Sequence, residues 1–232
     1  MPAAAGLLFA IAWIGQAQQP AVVLSHYSSQ DQEPSADPNS SFWKDIKGVV
    51  VDRSVLGELV PTFRSEVRSR WTNKYLYFLA IAPYQELNLR PNPDTKTETY
   101  KLWEYDCFEV YLGSDFDHIN RYREFQMSPQ GEFLDLDIDS TKPRPGWNDE
   151  RLWNSGMTVK AHIDEAKKMW YGEMRIPVTA VDTRPAKEGN EMRINFCLQD
   201  GKVPNRRFIG WQPLGVWNPH RPEKFGLLRL AK

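Results

Sequence analysis

The chain has 232 residues, of which 41% are hydrophobic, 12% aromatic and 25% charged, a composition that supports a packed core and excludes wholesale disorder. Its 29 Lys and Arg against 30 Asp and Glu leave a formal net charge of -1, so it lacks the clustered basic face that nucleic acid or an anionic membrane requires. Two cysteines, Cys107 and Cys197, are too few for a four-ligand zinc site.

Residues 1–17 are apolar over about the length of a signal-peptide core and end in the small-residue pattern Gly15-Gln16-Ala17. They are read as a signal peptide, which implies a secreted or periplasmic protein; no Lys or Arg precedes the run, and the alternative is a buried N-terminal helix. The run is too short to span a bilayer, and no later stretch approaches about 18 apolar residues. Residues 18–40, with Gln, Ser, Asp and three prolines, read as a flexible N-terminal linker.

From residue 41 the dominant signal is period two, carried by β-branched and aromatic residues and broken at short intervals by Gly, Pro, Asn and Asp. It predicts strands over 48–53, 63–71, 75–82, 106–112, 122–128, 133–138, 156–163, 170–176, 191–199, 207–211 and 226–230. Asn73-Lys74 and Gln130-Gly131 read as tight turns between antiparallel neighbours, and 177–182 as one helical turn started by Pro177. About 10–11 short strands make an antiparallel β-sandwich of jelly-roll type over residues 41–232.

Strand parity divides the residues between two faces. Phe108, Val110, Leu112, Phe125, Met127, Ile194, Phe196 and Leu198 form a core face. Glu109, Glu124, Gln126, Asn195 and both cysteines lie on the opposite one. That shared face is compatible with a cross-strand disulfide if the strands are neighbours in register, and otherwise with two inert thiols.

Four stretches in order carry a resemblance: Phe42-Trp43-Lys44-Asp45, then the run 71–79, then Leu102-Trp103-Glu104-Tyr105-Asp106-Cys107-Phe108-Glu109, and finally 222–230, with Phe225-Gly226 inside it. Together they resemble the family 9 carbohydrate-binding modules over residues 35–232. The resemblance implies a non-catalytic β-sandwich, often attached to glycoside hydrolases and often holding structural calcium. It also implies a sugar held between two tryptophans, whose rings meet the C–H faces of a pyranose while polar side chains take its hydroxyls. On this sequence Trp103 matches the first tryptophan and Glu109 the carboxylate on the next strand. Gln126 stands where sugar-binding members carry an arginine, which changes the donor pattern, and Asn195 is a further polar contact. The second tryptophan matches Trp217, displaced by two positions so that Pro219 takes the aligned place, while Trp211 matches a core position.

Other residues invite competing readings. Trp43, Trp71 and Trp170 read as core; Trp147 and Trp153, in the loop 143–154, as loop anchors or a reserve ligand rim. Glu109, Glu124 and Glu173 suggest a glycosidase pair, but same-face acids on a sheet are ordinary. The run Asp135-Leu136-Asp137-Ile138-Asp139 offers oxygens to calcium or makes a solvated face. His26, His118, His162 and His220 show no metal spacing. A distantly similar sandwich class binds haem through Met and His, which makes Met127 and Met174 candidates for an electron-transfer alternative.

Overall fold

The computed structural model describes residues 21–142 and 153–232, so the proposed signal peptide and Trp147 lie outside the described residues. Among the described residues thirteen strands form one continuous sheet. In chain order they are β1 (Val22–Tyr27), β2 (Val49–Val51), β3 (Arg53–Ser54), β4 (Ser65–Trp71), β5 (Tyr75–Pro83), β6 (Cys107–Gly113), β7 (Arg121–Met127), β8 (Phe133–Asp139), β9 (Thr158–Asp164), β10 (Met169–Pro177), β11 (Glu191–Asp200), β12 (Arg207–Gly210) and β13 (Gly226–Ala231). The turn expected after Pro177 is a 3-10 turn at Val178–Ala180.

The strand order β8-β7-β6-β11-β13-β1-β4-β5-β10-β9 folds into two halves joined by β1. Both predicted tight turns close antiparallel pairs, β4 with β5 and β7 with β8. Phe108, Val110, Phe125, Ile194 and Phe196 from one half and Val67, Phe78, Ala80, Met174 and Ile176 from the other share the main core. The halves meet closely: the Phe78 and Phe196 rings lie 5.6 Å apart, and a Cβ at Gly172 of β10 would come within 2.2 Å of the Met127 Cε on β7.

Two expectations are corrected, and one open alternative is resolved. Residues 18–40 do not behave as a linker where described: Val22–Tyr27 is a strand, and it runs parallel to both β13 and β4. The apolar run Ala21-Val-Val-Leu24 pays for its ordering by closing the sheet, with Val23 buried beside Leu228. The sheet is therefore not purely antiparallel. The cysteines share a face of neighbouring strands, but Cys197 stands opposite Glu109 and Cys107 opposite Gln199; the register is offset by two residues and both thiols are free and buried.

Each half also has an outer face. On β5 and β10 that face is Tyr77, Leu79 and Glu173, covered by Phe42, Trp43 and Ile46. On β6, β7, β8 and β11 it is Cys107, Tyr111, Tyr122, Leu134, Leu136, Ile138 and Cys197, covered by Leu102, Leu214 and Phe225. Among the described residues no helix is long and apolar enough to cross a membrane.

Candidate functional site

Among the described residues the second cover leaves a cavity of about 380 Å³. Its floor is the sheet itself: Glu109 and Tyr111 of β6, Glu124 of β7, Leu136 and Ile138 of β8, and Gln199 of β11. Its walls are Trp103 from one connection and Trp217, Pro219 and His220 from another, with Arg206, Arg207 and Phe208 at the start of β12.

The Trp103 wall is a short 3-10 turn, Leu102–Glu104, entered through Lys101 at φ 63°. Leu102 is buried in the outer cluster and pins the turn to the sheet. Arg206 holds it from the far side, donating from Nη2 to the carbonyls of Trp103 and Tyr105, both at 2.8 Å, and from Nη1 to Gly201 at 3.0 Å. Three carbonyls take up the guanidinium fork, so the loop is preorganised around it. Tyr100 meets the Trp103 ring edge-on at 5.6 Å.

The Trp217 wall is stapled at both ends and projects between them. At its base Asn195 Oδ1 accepts from the Gln212 N–H at 2.9 Å while its Nδ2 donates to the Gln212 carbonyl at 3.1 Å. The Leu214 and Gly215 amides reach the Val55 carbonyl at 2.7 and 2.9 Å. At its other end His220 Nδ1 is 2.7 Å from the Tyr122 hydroxyl. Trp217 itself is 63% exposed, an unusual cost for a large ring unless something covers it.

Glu109 is 1% exposed. It accepts from the Tyr111 hydroxyl at 2.7 Å and the Cys107 thiol at 3.6 Å. Burial pushes its carboxyl up to about 7, against the pull of these hydrogen bonds and of Arg206. Burial likewise raises the Cys107 and Cys197 thiols and the Tyr111 phenol, so all three are neutral. Beside the wall arginines burial lifts Asp106 to about 7 and Asp200 to about 6, though Arg206 and Arg207 oppose it.

Of the five residues that the sequence put forward, Trp103, Glu109 and Trp217 line this one cavity although they come from two segments more than a hundred residues apart. Gln126 and Asn195 do not line it. Gln126 is fully buried behind the floor and donates from Nε2 to Glu124 Oε1 at 2.5 Å. Asn195 imitates a backbone unit, closing the ladder with Gln212 at the base of the Trp217 loop, so it positions a wall instead of facing the cavity. Sequence reasoning missed Arg206, Arg207, Phe208 and the β8 residues Leu136 and Ile138. Parity could have found the last two, since Leu136 stands opposite Glu124 and Ile138 opposite Tyr122.

The competing readings lose their geometry. Glu173 lies on the other half and accepts from the Ser35 and Ala36 amides at 2.8 and 2.9 Å, far from a shared site with Glu109. Met127 and Met174 are both in the apolar core. Asp135 is buried, not solvated, and accepts from Ser155; Asp137 is paired with Arg123, and Asp139 lies 3.8 Å from Arg121. Among the described residues no three His, Cys, Asp or Glu side chains gather where they would hold a metal ion. Trp153 is a loop anchor, with Arg123 over its ring at 4.7 Å.

Solved structures share this fold. A family 9 carbohydrate-binding module from Caldicellulosiruptor kristjanssonii, in complex with cellotriose, matches with a TM-score of 0.64 at 15% identity, over 91% of this chain and 94% of that one. The same source provides a glucose complex that matches at a TM-score of 0.65 and 14% identity, over 91% and 97%. A Bacteroides uniformis protein designated as carbohydrate-binding matches at a TM-score of 0.71 and 19% identity, over 92% and 100%. No curated protein matches the chain significantly by sequence. The model of the carbohydrate family 9 binding domain-like family matches residues 38–232, which is nearly the whole described fold, and the chain therefore belongs to this family of non-catalytic binding domains.

Proposed function

We propose that the cavity binds a sugar non-covalently, with the pyranose stacked on Trp103 and Trp217 and its hydroxyls hydrogen-bonded by Glu109. Gln126 acts from behind, by orienting Glu124. The observation that carries this reading is that two tryptophans from segments more than a hundred residues apart line one cavity whose floor contains a buried carboxylate. Aromatic walls suit the C–H faces of a sugar, and a polar floor suits its rim. The cellotriose and glucose complexes of the similar modules make glucans the first ligands to try. We further propose that the protein is exported and works beside glycoside hydrolases in carbohydrate breakdown. A carbohydrate array probed with the purified chain tests the binding claim: retention of defined oligosaccharides is expected, and a blank array with folded protein would remove it.

A further inference from the structure

Glu109 is a buried acceptor on the floor of the cavity. Gln126 is its cross-strand partner; the Gln126 amide nitrogen is spent on Glu124, and its carbonyl oxygen is buried without a donor. The groups that donate to Glu109 are neutral: the Tyr111 hydroxyl, the Cys107 thiol and the Gln199 side chain. The arginines of the wall are engaged elsewhere. Arg206 directs its fork at three backbone carbonyls and lies 3.8 Å from Asp106. Arg207 pairs with Asp200 at 3.3 Å and stacks over Phe63 at 4.1 Å. The cavity that Glu109 lines is walled by the rings of Trp103, Trp217 and His220, with Tyr111 beside Glu109 on its floor.

A buried carboxylate met only by neutral donors, under aromatic walls, is the setting a primary ammonium takes, because it brings three N–H donors, a positive charge and an affinity for ring faces. A sugar hydroxyl brings one donor and no charge. We propose that the cavity selects a cationic amino sugar, one with a free amine, whose ammonium sits on Glu109. The proposal rests on the sugar-binding reading and deepens it.

Protonation supplies a second readout. The titratable and charged groups around Glu109 are Tyr111 and Cys107 on its own strand, Glu124 on β7, Cys197 on β11 and Arg206 from a flanking connection, with Asp106 acting on the Cys107 thiol. With its carboxyl raised to about 7, Glu109 is mostly neutral about one pH unit lower, where a sugar amine is charged. Seating an ammonium there must expel the carboxyl proton.

Calorimetric titration of the full chain with D-glucosamine, D-glucose and N-acetyl-D-glucosamine at about pH 6, in two buffers of different ionisation enthalpy, tests this. Glucosamine is expected to bind at least about tenfold more tightly than either neutral sugar and to release close to one proton. In Glu109→Gln the preference is expected to fall to within about twofold. Wild-type protein that binds glucose as tightly as glucosamine overturns the amino-sugar proposal and leaves sugar binding standing. A preference without proton release, or one that survives in Glu109→Gln, overturns the role of Glu109. No binding of any sugar overturns both readings.

Discussion

The two outer faces of the sandwich start alike and end differently. Each presents a glutamate 1% exposed, Glu173 on one and Glu109 on the other, and each is overlaid by loop segments carrying tryptophan. On the Glu173 face the cover is complete. Ser35 and Ala36 lay their amides on the carboxylate, Trp43 is fully buried, and Arg68 and Arg70 tie the backbone of Pro38, Phe42 and Trp43 to the sheet. On the Glu109 face the covers come from two separate connections with a cavity between them, and Trp217 remains exposed. A buried carboxylate on a sheet is therefore no sign of function by itself; what separates these two is whether backbone donors or an open cavity meet it.

That contrast is most easily broken at the sealed face. Glu173→Ala strands the buried Ala36 amide and the part-buried Ser35 amide and is expected to cost roughly 1–3 kcal/mol, read as a lower melting temperature, with sugar affinity unchanged in the fraction that stays folded. Loss of sugar binding in folded Glu173→Ala would mean that the faces are coupled. Next comes the seam between the halves: a Cβ at Gly226 would lie 2.6 Å from both the Ala21 carbonyl and the Trp211 ring. Gly226→Ala is expected to lose about 1–3 kcal/mol by forcing β1 and β13 apart, measured by denaturant unfolding.

At the open face the signs reverse. The carboxyl of Glu109 is raised in the folded protein, so between the unfolded value and about 7 the folded state holds more protons. Its contribution to stability is therefore lost as pH rises through that window. Glu109→Gln is expected to be more stable than wild type at about pH 8 by up to about 3 kcal/mol, the difference shrinking towards about pH 4. Parallel stability–pH curves for the two proteins would contradict this. The smallest effect is at Arg206: Arg206→Lys keeps the charge but loses the fork, and is expected to weaken sugar binding about three- to tenfold with less than about 1 kcal/mol of stability lost.

The sheet was largely legible because period-two patterning reports burial directly, and the core and polar faces of β6, β7 and β11 follow from parity. β1 was not legible, because Gln, Ser and Pro around it read as linker and its partners, β13 and β4, lie far along the chain. For the site, Trp103, Glu109 and Trp217 came from the ordered resemblance, and the structure brings them to one cavity. Gln126 and Asn195 share the site's face by parity, yet parity does not tell whether an amide meets the cavity or a neighbour. Arg206 was invisible because its partners are backbone carbonyls, which leave no side-chain signature in sequence.

The central claim is that the open face binds sugar between its tryptophans. Tryptophan fluorescence of wild type, Trp103→Ala and Trp217→Ala, titrated with glucose, glucosamine and cello-oligosaccharides, tests it most directly. Wild type is expected to respond saturably to at least one of these sugars, Trp103→Ala to bind it at least about tenfold more weakly, and Trp217→Ala to fall between. A folded wild type with no saturable response, or a Trp103→Ala protein that binds as tightly as wild type, would contradict the account.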